Sequence, residues 1–185
     1  MTLFRSLIHA TTTSTDLTNP SSRAPLSPAE RLEHAISFTN LYVSTVHERM
    51  VTFCTTFIGL FDVTHGTLHY INAGNEPPHV IRKDGSFELL GTSGPAVGVI
   101  SDAKFKVRET RMDQGDMLVA FTDGIPDGKN AKDEFFGTER INSALSQKFS
   151  NADECLNLIG NQLSAFVADS EQFDDITILA VRRVD

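Results

Sequence analysis

Met117-Leu118-Val119-Ala120-Phe121-Thr122-Asp123-Gly124 is the stretch on which the fold turns. Its unbroken apolar run reads as a central strand buried on both faces, opened by the turn Asp113-Gln114-Gly115-Asp116 and closed by an acid and a glycine. Upstream, Phe105 and Val107 alternate in a further strand. Before them come strands around Phe87–Leu90 and His79–Arg82, separated by a Lys83-Asp84-Gly85 turn and preceded by Pro77-Pro78. Thr67–Asn72 and the β-former-rich run Val51–Phe61 predict two more strands joined by Thr64-His65-Gly66, the second of these runs as a buried one. Ser27-Pro28-Ala29-Glu30 is a helix start, with Ser at the cap, Pro in the first turn and Glu able to reach back to the cap N–H. That helix extends to Met50 and carries Leu32, Ala35, Ile36, Tyr42, Val43, Val46 and Met50 on one broad face. Downstream, helices are expected over Thr138–Phe149 (Ile141, Leu145) and Ala152–Asp169 (Leu156, Ile159, Leu163, Phe166), then a last strand over Ile176–Val181. At the N-terminus, Leu3, Phe4, Leu7 and Ile8 have helical spacing, and the polar stretch 11–27, with Pro20 and Pro25, reads as a mobile loop. The sum is an α+β layered domain, helices flanking mostly hairpin-linked strands, with residues 1–185 forming one domain.

Composition narrows the classes. With 185 residues, 40% hydrophobic and 22% charged, the chain is ordinary globular material rather than disordered or collagenous. Its longest apolar runs are far short of a bilayer span, so no transmembrane helix is expected. The net charge of -8 makes nucleic acid or an anionic membrane a poor partner. Only two cysteines occur, Cys54 and Cys155, both in apolar runs; they read as buried free thiols and fit a reducing, cytoplasmic setting. Arg5, Arg23 and many hydroxyl residues give the N-terminus some likeness to a targeting segment, but the apolar part is short and broken by Arg5.

Two acidic spots stand out. Asp123 lies just past the end of the buried strand, and Asp174-Asp175 lead into the last one. Rigid strand ends can hold carboxylates together, and carboxylate oxygens with water suit an octahedral Mg²⁺ or Mn²⁺. Gly124 would let the backbone pass close to the ion. The competing reading is plain: Asp123-Gly124 starts a turn and Asp174-Asp175 cap a loop. Asp127 reads as solvated, and Asn72, Gly74 and Asn75 as a tight turn stopped by the two prolines, with Glu76 in it. The six histidines, His9, His34, His47, His65, His69 and His79, form no close metal spacing; His65 reads as a turn residue and His69 as lying on a strand face. Ser93-Gly94-Pro95 has no paired base and reads as a flexible connection rather than a nucleophile.

Asn72-Ala73-Gly74-Asn75-Glu76-Pro77-Pro78, Phe121-Thr122-Asp123-Gly124-Ile125, Glu134-Phe135-Phe136-Gly137 and Phe173-Asp174-Asp175-Ile176-Thr177 occur in one order at suitable separations. Together they resemble the bacterial SpoIIE/RsbU branch of metal-dependent serine/threonine phosphatases, the PPM type similar to protein phosphatase 2C. Leu90–Gly98 resembles that branch's Gly-rich connection between the two halves of the domain. The resemblance implies a β-sandwich flanked by helices, with two Mn²⁺ or Mg²⁺ ions activating a water that attacks phosphoserine or phosphothreonine. It places Asp123 and Asp174 as metal ligands, with Asp175 and Gly124 supporting them. It also implies a strand pair before the first helix, carrying the aspartate that bridges the ions. No such motif stands in this sequence, where Met1 aligns inside that helix, so the fold is expected to be N-terminally incomplete and metal binding weak. Lost strands would expose a sheet edge and favour self-association, as a homodimer for example.

Two functions follow from the resemblance. One is a protein serine/threonine phosphatase domain acting on a signalling partner of the anti-sigma-factor-antagonist type. The other is a catalytically inactive or truncated module serving protein–protein interaction or dimerisation, with the helix from Pro28 to Met50 as its interface. A third reading, metal or anion binding of unrelated function, is disfavoured for anions by the acidic balance.

Overall fold

The structure is a computed structural model that describes residues 26–46, 53–168, 170 and 174–184. The expected helix over residues 1–9, most of the loop 11–27, and residues 47–52, 169 and 171–173 lie outside the described residues. The chain divides into two compact units, and the second change between them falls at Gly91–Thr92, inside the Gly-rich stretch.

The first unit contains helix α1 (Pro28–Val46) and strands β1 (Thr56–Asp62) and β2 (Thr67–Ala73), joined later by β5 (Arg108–Arg111). The helix start is the expected capping box: the Ser27 N–H donates to Glu30 Oε2 at 2.8 Å, and the Glu30 N–H donates to Ser27 Oγ at 3.3 Å. Leu32, Ala35, Ile36 and Val43 are buried against Ile71, Ala73, Val97 and Phe105. Buried Asn40 fastens the Gly98 loop: its Nδ2 donates to Ile100 O at 2.8 Å, and its Oδ1 accepts from the Gly98 N–H at 2.8 Å. The three strands form an antiparallel sheet in the order β1-β2-β5. At the β1–β2 turn, Asp62 Oδ1 accepts from the Thr64 and His65 N–H groups, as the Thr64-His65-Gly66 signal predicts.

Four expectations change here. β1 starts at Thr56, because Cys54 bridges to Val97 instead of extending the hairpin; its residues are half-buried except for exposed Gly59, as suits an edge strand. Cys54 is half-buried rather than buried, and burial raises its thiol pKa. Phe105 and Val107 precede the ladder, which begins where Arg108 faces Tyr70; Phe105 is core and Val107 packs partly against it. The stretch around Ser93 is not a loose connection either. The Ser93 N–H donates to Asn72 O at 2.8 Å, and its hydroxyl accepts from the Asn72 N–H at 3.0 Å.

The second unit carries β3 (His79–Ile81), β4 (Phe87–Leu89), β6 (Met117–Phe121), helices α2 (Gly137–Leu145) and α3 (Ala152–Val167), and β7 (Ile178–Arg182). Its antiparallel sheet runs β4-β3-β6-β7, so β6 is interior as expected, and all but Ala120 of its residues are buried. Met117, Val119 and Phe121 pack with Phe136, Ile141, Leu145, Ile159 and Leu163, which is how both helices are held against the sheet. Cys155 is fully buried, and burial pushes its thiol up to about 11.

α2 stops at Leu145, short of Phe149, because the next cap claims the following residues: the Glu154 N–H donates to Asn151 Oδ1 at 2.8 Å and the Ser150 N–H to Glu154 Oε2 at 2.6 Å. β7 begins at Ile178 rather than Ile176, because the Thr122 hydroxyl, not a backbone carbonyl, accepts from the Thr177 N–H.

Candidate active site

The two acidic spots of the sequence meet where β6 ends and β7 begins. The Thr122 N–H donates to Thr177 O at 3.0 Å. The Thr122 hydroxyl donates to Asp175 O at 2.9 Å and accepts from the Thr177 N–H at 2.9 Å. Gly124 is required here, since a Cβ on it would lie 2.5 Å from Asp175 O. The backbone flanking Asp123 is therefore fastened to the backbone flanking Asp174. Beyond Gly124 the chain turns tightly, with the Asp127 N–H donating to Asp123 O at 2.9 Å. The turn is tied to the start of α2 by the Gly137 N–H, which donates to Pro126 O at 2.9 Å. Asp123, Asp127, Asp174 and Asp175 are all exposed, so Asp127 is solvated as expected. Asp174 Oδ1 accepts from the Asp175 N–H at 2.7 Å, which orients the pair.

One acid was missed. The Asn72-Gly74-Asn75 turn forms as read, with the Asn75 N–H donating to Asn72 Oδ1 at 2.9 Å. Glu76, assigned to that turn, is instead half-buried in the second unit. Burial raises its carboxyl above the ordinary range, and the charges of Asp127 and then Asp123 raise it further. The available signal was its place before Pro77-Pro78, which holds residue 76 extended and rigid.

A cavity of about 250 Å³ opens beside Asp127 and Asp174, lined among others by Gly124, Lys129, Leu163 and Ser164. Lys129 places its ammonium over the Phe135 ring at 4.9 Å and 3.7 Å from Asp133. Among the described residues, no histidine lines this cavity. His79 is buried between Phe87 and Phe121, with Nε2 2.8 Å from Asn142 Oδ1. His65 closes its turn against Asp62, and His69 faces Glu109. His9 and His47 lie outside the described residues.

The oxygen donors at this edge are the right type for Mg²⁺ or Mn²⁺. Among the described residues, however, no group of three or more His, Cys, Asp or Glu side chains converges to hold an ion. These residues do not by themselves make a complete metal cage.

Residues 1–184 match the family model of stage II sporulation protein E (SpoIIE), and the chain belongs to that family of serine/threonine phosphatase domains. It is 39% identical to Protein IcfG of Synechocystis sp. over 150 residues, 81% of this chain and 24% of that protein. It is 26% identical to phosphoserine phosphatase RsbU of Bacillus subtilis over 133 residues, 71% of this chain and 39% of that protein. The chain thus spans well under half the length of either relative. The SiaA-PP2C domain of Pseudomonas aeruginosa superposes with a TM-score of 0.73 at 19% identity, covering 97% of this chain and 69% of that one. The catalytic domain of the serine threonine protein phosphatase PstP, solved with two manganese ions, superposes with a TM-score of 0.66 at 16% identity, covering 100% and 82%. The fold is the α+β, protein phosphatase 2C-like one that the motifs imply. Among the described residues no helix is long and apolar enough to cross a membrane.

Proposed function

We propose that this chain supplies the phosphatase domain of a bacterial cytoplasmic signalling protein, removing phosphate from phosphoserine or phosphothreonine on a partner of the anti-sigma-factor-antagonist type. Asp123 and Asp174 are the proposed ligands for Mn²⁺ or Mg²⁺, with Asp175 and Gly124 holding their backbone in place. A bound ion would supply charge neutralisation and an activated water. The chain's own part is to fix the carboxylates at two joined strand ends and to present a cavity beside them. The observation that carries this reading is the Thr122–Asp175–Thr177 hydrogen-bond set, which joins the Asp123 turn to the Asp174 loop. The test is Mn²⁺-dependent phosphate release from a phosphoserine peptide by the chain and by its Asp123→Ala, Asp174→Ala double variant. Release that the double variant loses supports the reading. Release that the variant retains removes both residues from the site.

A second reading is an interaction module of the same fold without catalysis. What favours it is the lack of three converging ligands among the described residues. Absence of any metal-dependent release, together with intact partner binding, would select it.

A further inference from the structure

The edges of the two sheets differ in how they meet water. β5 presents Arg108, Glu109 and Arg111, all exposed, a charged border of the kind that resists pairing. β7 ends the four-stranded sheet and carries no charge between Asp175 and Arg182. The Thr122 N–H donates to Thr177 O and the Arg183 N–H to Asp116 O, so residues 177, 179, 181 and 183 turn their backbone groups toward β6. Antiparallel alternation then turns the N–H and C=O of Ile178, Ala180 and Arg182 outward, to an edge that no strand among the described residues covers. Along this strand lie exposed Ile176, Leu179, Val181 and Val184.

These four residues are arranged symmetrically about Ala180: Leu179 and Val181 flank it directly, and Ile176 and Val184 stand at equal distance on either side. We propose that β7 is a self-association edge, pairing antiparallel with β7 of a second copy about a two-fold axis at Ala180. In that register the outward groups of Ala180 face those of the second copy's Ala180, and those of Ile178 face Arg182. Leu179 of each copy lies opposite Val181 of the other, and Ile176 opposite Val184, so every exposed apolar residue finds an apolar neighbour. The interface is isologous and closed, giving a dimer rather than a fibre.

The test is analytical ultracentrifugation of the full chain over a concentration series, with Ala180→Pro and Leu179→Lys. Proline removes the outward N–H at the centre of the pairing and is tolerated on an edge strand whose N–H faces solvent. Lysine charges an exposed position without touching the β6 ladder, so one variant remains informative if the other misfolds. The expected result is a mass that approaches twice that of one chain for the parent and stays at one chain for both variants. Single cysteines, in a background with Cys54 and Cys155 replaced, test the register. A Leu179→Cys chain mixed with a Val181→Cys chain is expected to cross-link, and neither alone. A parent monomeric throughout overturns the proposal, as does a dimer that both variants retain. A monomer whose Ile178, Ala180 and Arg182 amides resist hydrogen exchange also overturns it, by pointing to an occupant within the same chain.

Discussion

Strand β6 has an aspartate just outside each end, and the two are treated in opposite ways. Asp116, just before the strand, is 3% exposed. It accepts from Arg82 Nη1 at 2.9 Å, from the Lys83 N–H at 3.1 Å and from the Asp113 N–H at 2.9 Å. Arg82 in turn pairs with Glu88. Asp123, just past the strand, is exposed, and its charge acts on Glu76 together with that of Asp127. A buried carboxylate must be paired, because an uncompensated buried charge costs several kcal/mol. An exposed carboxylate among like charges does nothing for the fold, and leaves its field free to act on a cation. One end of the strand is therefore built for stability, and the other presents its charge to solvent.

The comparison breaks most readily at its stable end. Asp116→Ala removes one of the two carboxylates that Arg82 pairs with and leaves the Lys83 and Asp113 N–H groups without this acceptor, an expected loss of about 3 kcal/mol of unfolding free energy. Asp123→Ala is expected to change stability by no more than about 0.5 kcal/mol, as for an exposed site without such partners. Urea unfolding of both variants checks the contrast. Equal losses would mean that Asp123 also holds the fold.

The exposed end depends on backbone rather than on charge pairs. Gly124→Ala would push a methyl against Asp175 O, and the expected cost is about 2 kcal/mol of strain and displacement. The measurement is again the unfolding free energy, read beside the amide signals of Asp175 and Thr177, which are expected to shift. Unmoved signals would separate the Asp123 turn from the Asp174 loop.

The middle of the strand responds to acid. His79 faces Val119 in register, and burial lowers its pKa, with Asn142 opposing. A base whose folded pKa is depressed binds fewer protons folded than unfolded. Its contribution is therefore complete above the ordinary value of 6.5 and is lost as pH falls below it. Urea midpoints are expected to drop over that range, and His79→Phe to flatten the drop.

The sequence made the elements with strong local chemistry legible. The Ser27–Glu30 capping box, the Thr64-His65-Gly66 turn and the apolar run of β6 each carry their instruction in a few adjacent residues, and each formed as read. Strand limits were less legible, because partners decide them: Cys54 joins Val97, and the Thr122 hydroxyl ends the β7 ladder. At the candidate site, the positions of Asp123 and Asp174 could be read because both flank strands. Glu76 could not, because its neighbours Asp127 and Asp123 lie about fifty residues further along the chain. The tethering of Ser93 to Asn72 is equally non-local.

Glu76 offers the finest test of the contrast. An acid whose pKa is raised on folding binds more protons in the folded than in the unfolded state between the two values, so stability falls as pH rises through that window. The penalty is absent below the ordinary value of 4.5 and fully present only above the raised one. Glu76→Gln removes the charge that Asp127 and Asp123 oppose, and is expected to stabilise the chain by a few tenths of a kcal/mol at neutral pH, since partly exposed charges are screened. The gain should vanish at acidic pH. Added Mn²⁺ separates two origins of the repulsion. If the acids form one field that accepts a cation, the ion stabilises the parent more than Glu76→Gln, and the gap between their melting temperatures closes. If Glu76 only feels its neighbours across the surface, the gap is unchanged by the ion, and the exposed end of β6 is a charged turn rather than a metal edge.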